Sequence, residues 1–337
     1  MRFLLIPVAL LATNLLAQDI HLTQFPQSPL LANPALTGDY EGAGLIYRSQ
    51  WRSIADPYVT LAAHGQTFLP VGFSKAGFGL TIMRDAAGPG AMSSTQALLS
   101  AAYHLALGRT SFIIGAQPGV VRRNIKPVTY PNQYDNSLGD FNIGLPNGEG
   151  VGVGPRTYFD LNAGVGLSVQ LASWKLFLGQ AFQHVIQPEY SLISGTSRLP
   201  IRRTATVIAD GWISPALTFQ PAVLWSDHAG ATEINLQSRF YINVASGTSD
   251  IGKLMLGGGV RNNTKGFHEE GLLKSSDAGF LMAGLTFKDT EFSVAYDFNI
   301  SALHEASGYR GAFELALVWK NTKKMEHSVI VPPCIRL

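Results

Sequence analysis

The sequence predicts an all-β fold: a transmembrane antiparallel β-barrel of about fourteen strands, with a short plug-like segment before it and a tail after it. Three observations lead there. Apolar and polar residues alternate with period two along most of the chain, the pattern of a strand with one face in oil and one in water. The alternating segments run 11 to 15 residues by our reading, whereas strands of soluble proteins usually hold ~5–6. The chain is apolar overall, with 14% charged residues, 35 Gly and a mean hydropathy of +0.13, yet beyond its first residues it holds no apolar run long enough for a spanning helix, which takes ~20.

The elements follow in order. Met1-Arg2, an apolar run from Phe3 to Leu16 and Ala17 before Gln18-Asp19 form a secretory leader over 1–17. Residues 18–40 contain "LLANPALTGDY", too rich in Pro and Gly for a helix and without strand alternation. Pro29 and Pro34 bar it from a central strand, while Leu30, Leu31 and Leu36 need a dry environment. We therefore expect 18–40 to fold into the periplasmic mouth of the barrel as a plug or lid, with Asn33 and Gly38 in its turns.

The barrel is expected over 41–320, with strands near 41–52, 57–69, 75–85, 93–106, 109–123, 157–171, 173–185, 199–212, 214–227, 231–245, 251–263, 274–287, 289–300 and 309–320. In "TYFDLNAGVGLSVQL", Phe159, Leu161, Ala163, Val165 and Leu167 share one face and Asp160, Asn162, Gly164 and Gly166 the other. "EINLQSRFYINV" and "EFSVAYDFNI" behave alike. Crossing a ~25 Å apolar band at a tilt near 45° takes ~9–11 residues, so these lengths suit a membrane. Connections alternate between tight turns (near Gly108, Ser173, Ser214 and Asp289) and longer loops at Arg84, at 124–156 and after Arg261. That alternation is the periplasmic-turn and external-loop asymmetry of outer-membrane barrels. Closure follows because an open sheet edge is untenable in hydrocarbon. A soluble sandwich or propeller would need a repeat, and none is found.

Aromatic residues near strand ends (Trp51, Tyr58, Phe68, Trp174, Trp212, Trp225 and Trp319) are candidates for interfacial girdles. Arg48, Gln50, Arg52, Arg122, Glu233, Arg239, Asp297, Arg310 and Glu314 are assigned to the inner face. Their mixed signs favour cross-linking over an ion-selective pore, because buried ions persist when paired or hydrated. The tail 321–337 opens on Lys323 and Lys324 and carries the single Cys334, which excludes an internal disulfide. A net charge of +2 gives no reason to invoke nucleic acid.

Enzyme chemistry finds little support. "NGEGVGVGP" lacks the strand-to-helix context of a phosphate loop, and His268 and His304 lack a second zinc-helix histidine. Asp135 and Asp140 could collect Ca²⁺ through their oxygens, against the plainer reading of solvated loop residues. No cofactor and no metal site is expected.

The start of the mature chain, "QDIHLTQFPQSPLLANPALTGDYEGAGLIYRSQW", resembles that of the PorP/SprF family of outer-membrane proteins. The matching elements are Gln24-Phe25, Asn33-Pro34-Ala35 with Gly38, and Tyr47-Arg48-Ser49-Gln50-Trp51. Ala32 stands where a Leu is usual, and "PPCIRL" resembles a degraded Cys-Pro-Arg-Phe ending that keeps Cys334 and Arg336. The resemblance implies a cell outer-membrane location and a non-catalytic role. It further implies an anchor or carrier for a secreted type IX substrate with an adhesin-like C-terminal domain, linked to periplasmic components of the secretion or gliding machinery. On that reading the loops at 124–156 and 262–275 contact the exported partner, with Tyr130, Tyr134 and Phe141 as exposed interface aromatics. The alternative function is a plugged transporter or porin for a small or hydrophobic solute, which a barrel of this size also suits.

Overall fold

In a computed structural model of the protein, residues 20–50, 52, 57–87, 92–125, 131–142, 144–145, 155–192, 197–244, 251–264, 276–301 and 308–321 are described. The leader, Trp51, Tyr130, residues 265–275, His268, His304, the tail beyond Asn321 and most of "NGEGVGVGP" lie outside them.

The described chain begins with three short turns: 3-10 turns at Phe25–Gln27 and Pro34–Leu36 and, between them, helix α1 at Pro29–Ala32. Each has Pro in its first turn, where the missing N–H costs nothing. The strands follow as β1 (Gly42–Gln50), β2 (Tyr58–Val71), β3 (Ser74–Ala87), β4 (Met92–Leu107), β5 (Thr110–Ile125), a small hairpin of β6 (Tyr134–Asp135) and β7 (Asp140–Phe141), then β8 (Arg156–Gln170) and β9 (Trp174–Gln183). The second half holds β10 (Arg202–Ser214), β11 (Leu217–His228), β12 (Ala231–Asn243), β13 (Ile251–Thr264), β14 (Ser276–Phe287), β15 (Thr290–Asn299) and β16 (Arg310–Lys320).

All strands except β6 and β7 form one closed sheet of nearest-neighbour antiparallel pairs. Closure is made by β1 against β16, in register from Gly42 opposite Lys320 to Gln50 opposite Ala312. The fourteen expected strands are all present, and the largest displaced starts, 199 to Arg202 and 214 to Leu217, are three residues each. Tight turns at 72–73, 108–109, 171–173, 215–216 and 288–289 mark one end, here the turn end. Most of the longer connections gather at the other, the loop end, although Ala229-Gly230 makes a tight turn there.

Outward side chains are apolar, with Leu61, Leu99, Ile114, Phe159, Leu281 and Trp212 more than half exposed in the isolated chain. Such an apolar belt belongs in hydrocarbon. Inward side chains are polar on one half of the barrel, with Arg48, Asn235, Arg239, Arg261, Asp297 and Glu314 nearly or fully buried. Five assignments need correction. Arg52 is exposed and donates to Tyr47 outside the lumen, and Tyr58 faces the lumen, where it lines the loop-end cavity, and so leaves the girdle. Arg122 is exposed and Arg123 takes the inward position on β5; Arg310 is exposed at the loop end. Phe68 is buried, with Lys75 stacked 4.9 Å from its ring, and so leaves the girdle. For β4, β5 and their neighbours the reason is that this part of the inner face is itself apolar: Ala102, Ile113 and Phe177 cluster with Ala35 and Leu36 of the N-terminal segment, and Leu98 and Val121 line the space above it, so polarity no longer marks the lumen there.

Candidate functional site

Residues 20–40 run through the lumen rather than only closing the turn-end mouth. His21 lies 3.6 Å from Glu233, near the loop end of β12. Asp39 pairs with Lys175 at the turn end of β9, and Lys75 donates to its backbone carbonyl at 3.2 Å. Between these points the segment is fixed in two different ways.

The first part is held by charge. The N–H groups of Thr23 and Gln24 donate to the two carboxylate oxygens of Glu314 at 2.9 and 2.8 Å. Arg48 bridges Glu314 and Asp297, at 3.1 Å each, and also donates to Thr23 Oγ1 at 2.7 Å. Arg261 reaches Asp297 at 3.0 Å and Asp277 at 2.9 Å. Gln237 donates to the Thr23 carbonyl, Ser293 to Gln24 Oε1, and Gln27 to Glu291. Ions this deeply buried persist only when paired and fully hydrogen-bonded, and here two guanidinium groups meet three carboxylates.

The second part is held by shape. Leu30, Asn33 and Ala35 are fully buried. Asn33 accepts from the Ala35 N–H at 2.8 Å, capping the second 3-10 turn, and reaches across to the Val165 carbonyl. The facing wall is glycine. A side chain at Gly115 would meet the Pro34 backbone, one at Gly164 the Asn33 amide, and one at Gly77 the Thr37 carbonyl. Gly38 makes the exit with φ +78, a conformation glycine adopts freely, and lies directly against Gly77. Gln117 donates to the Leu30 carbonyl and Gln183 to that of Leu31.

His21 stays neutral. Burial and the nearby Arg261, Arg48 and Arg202 push its pKa well below the usual value despite the Glu233 contact. Burial alone would raise the Asp39 pKa, but Lys175 and Lys75 outweigh it and hold the carboxyl far below the usual carboxylate range.

Above the segment, toward the loop end, the lumen opens into a cavity of about 720 Å³. Its floor is the segment itself (Leu22, Phe25, Leu31) and its walls include Gln50, Gln96, Tyr158 and Arg202. On one wall His184 Nδ1 pairs with Asp160 at 2.6 Å, and His184 carries an unusual φ of +58. Neither residue had a signal in the sequence: a His at a strand end and an Asp in an alternating strand are unremarkable until the sheet closes them together. Thr23, Gln27, Arg261, Asp277 and Glu291 were likewise not singled out, for the same reason.

The sequence-derived residues fall into groups. Gln24 and Arg48 meet in the charged network, and Gln50 stands beside Arg48 at 3.5 Å while facing the cavity. Phe25 packs on Ala32, Ala222 and Leu224. Asn33, Pro34, Ala35 and Gly38 lie on the glycine wall. Tyr47 accepts from Arg52 at 2.7 Å, outside the lumen network. Tyr134 and Phe141 pair edge-to-face at 5.4 Å on the β6–β7 hairpin, both exposed and apart from the cavity lining. Asp135 is engaged by Ser137 and Asn142 within that hairpin. Among the described residues no group of three or more His, Cys, Asp or Glu could hold a metal, and no helix is long and apolar enough to cross a membrane.

Among solved structures the chain is similar to the Pseudomonas putida toluene transporter TodX, at 11% identity over 86% of this chain and 92% of that one, with a TM-score of 0.47. A Pseudomonas aeruginosa FadL homologue gives 11% identity, 87% and 94% coverage and a TM-score of 0.45. CdiB from Escherichia coli gives 9% identity, 82% and 63% coverage and 0.42. No curated protein sequence matches at a significant level. Residues 14–319 match the family described as type IX secretion system membrane protein PorP/SprF. That match takes in the N-terminal segment together with every strand of the barrel, and the chain is therefore an outer-membrane β-barrel belonging to the PorP/SprF family of type IX secretion system membrane proteins.

Proposed function

We propose that this barrel is a non-catalytic anchor that holds a secreted type IX substrate at the cell surface. One observation carries the reading: the lumen is filled by the chain's own residues 20–40, pinned by buried ion pairs on one side and close packing on the other. The remaining space lies above that segment, among residues from the loop ends of the strands. A barrel so filled serves as an oriented receptacle rather than a passage. Residues 18–40 then act as a permanent plug, 41–320 as the membrane scaffold, and the loops at 124–156 and 262–275 as partner contacts. Tyr134 and Phe141 suit that role because exposed aromatics are favoured at interfaces. The tail 321–337 would meet periplasmic components of the secretion or gliding machinery.

The test is affinity purification of the tagged protein from native outer membranes, paired with conductance of the purified barrel in a planar bilayer. The reading expects a large exported protein in stoichiometric amount, lost when 124–156 is shortened, and no conductance. A barrel that elutes alone and passes ions or a small hydrophobic solute would instead be a transporter.

A further inference from the structure

We infer that the cavity at the loop end receives an extended segment of the exported polypeptide, inserted end-on, with one large apolar side chain seated on the plug. The inference rests on the anchor reading above and names the contact that makes it specific.

The lining selects among ligand classes. Its volume of about 720 Å³ lies within the ~300–1,000 Å³ of ligand pockets. Its floor is apolar: Leu22, Phe25 and Leu31 from the plug, with Leu98 and Leu224 from the wall. Several charged groups of the lining are already partnered within the protein. Arg48 is already bridged by Asp297 and Glu314, Asp277 by Arg261, and Arg123 by the ring and carbonyl of Tyr190. A plain hydrocarbon fits the floor but not the walls, where Gln50 and Gln96 present amides whose protein contacts are weak. Among the described residues Gln50 accepts from Arg48 at 3.5 Å and Gln96 donates to the Met83 thioether at 3.8 Å. Burying such a group under hydrocarbon costs ~1–3 kcal/mol each. An extended polypeptide satisfies both surfaces, because every residue offers one N–H and one C=O at a rise of ~3.3 Å and alternate side chains can point down. The plug beneath prevents passage, so insertion ends in binding.

The experiment places benzophenone-alanine at Gln96 in the cavity and, separately, at Phe141 on the hairpin, in the full-length protein in native outer membranes. Photo-adducts are mapped by tandem mass spectrometry. The inference expects the position-96 adduct to map to one short segment of an exported protein, and Ser94→Trp, which fills the cavity from its wall, to lower recovery of that protein at least tenfold. Leu99→Trp, on the outer face, should leave recovery unchanged, with both barrels keeping wild-type heat-modifiable mobility. If an exported protein is recovered but cross-links only at Phe141, and Ser94→Trp has no effect, the cavity inference fails while the anchor reading stands. If neither position captures polypeptide, the cavity inference fails; the anchor reading fails with it only if no exported protein co-purifies, and octanoate retained by the purified barrel in native mass spectrometry would then identify the cavity's true ligand class.

Discussion

Two halves of one lumen hold one short segment by opposite means. On β1, β12, β13, β15 and β16 the wall is charged, and Thr23 and Gln24 are fixed by Glu314, Asp297, Arg48 and Arg261. On β3, β5, β8 and β9 the wall is glycine, and Leu30, Asn33, Pro34 and Thr37 are fixed because no other atoms intervene. The charged half sets register: a one-residue slip would move both backbone N–H groups off Glu314. The glycine half sets depth, since any added carbon pushes the segment out. Register is lost by removing a partner, and depth by adding one.

The largest effect is therefore expected at Glu314. Glu314→Ala removes the acceptor of two backbone N–H groups and one of the two carboxylates on buried Arg48. Removing one partner of a buried pair costs ~3–5 kcal/mol. A clear drop in the urea midpoint of the detergent-folded barrel is expected, with new trypsin sensitivity around Arg48 and the plug. A double variant, Glu314→Leu with Arg48→Met, should recover much of the loss, as apolar replacements of buried ion networks often do. Equal instability of single and double variants would mean that charge pairing is not what holds this half.

The glycine half is broken by Gly115→Val. Its first added carbon would lie 2.6 Å from the Pro34 carbonyl group, so the plug must shift. Overpacking of this kind costs ~1–3 kcal/mol, and the visible result should be ion conductance in a planar bilayer above that of the parent, which the plugged reading expects to be silent. Gly65→Ala, whose added carbon has its nearest neighbour at 4.0 Å, is the control and should stay within ~0.5 kcal/mol and silent.

The two halves also differ in how far the sequence reveals them. Strand number and boundaries were legible because each strand faces lipid on one side, and lipid accepts only apolar residues. The existence of a packed N-terminal segment was legible from Pro29, Pro34 and the leucines around them. Its path was not. The segment was expected in the turn-end mouth, yet it rises to Glu233, because the partners that hold its first part include residues more than 200 positions away along the chain: Asn235, Gln237, Asp297 and Glu314. No local pattern encodes such a pairing. The misplacement of Arg122 has the same origin. Ile113 packs with Ala35 and Leu36 of the plug and Val121 lines the cavity above it, so the rule that polar means inside fails for the strand that carries them.

A pH experiment sharpens the comparison on the charged side. His21 sits against Glu233 with its pKa well below the ordinary value, because of burial and the arginines around it. In the unfolded chain it titrates near ~6.5. Above that pH the residue is neutral in both states and adds no pH dependence. Below it the unfolded chain gains a proton that the folded chain refuses, so folding weakens as pH falls, by at most ~1.4 kcal/mol per pH unit. Stability measured from pH 7.5 to 5 should therefore fall less steeply in His21→Gln than in the parent. Identical slopes would show that His21 takes up its proton equally in the folded and unfolded chain, so that the fold does not hold it neutral.

The smallest effect is expected at the exit, where Asp39 pairs with Lys175. The contact is short, but the two side chains are 31% and 38% exposed, and exposed pairs contribute only ~0.2–1 kcal/mol. The Asp39 pKa is depressed, so its contribution is present above the ordinary carboxylate range and is lost only as pH falls through the lower folded value. Between pH 4.5 and 8 the pair should be constant. Asp39→Asn should then cost under ~1 kcal/mol at low salt, and less at 1 M salt, where screening acts over only ~3 Å. The variant should stay non-conducting, because Gly38 still lies against Gly77 and the plug is already gripped at both walls. Conductance in Asp39→Asn would reverse that ranking: it would make the exit contact, and neither half of the lumen, the element that keeps the barrel closed.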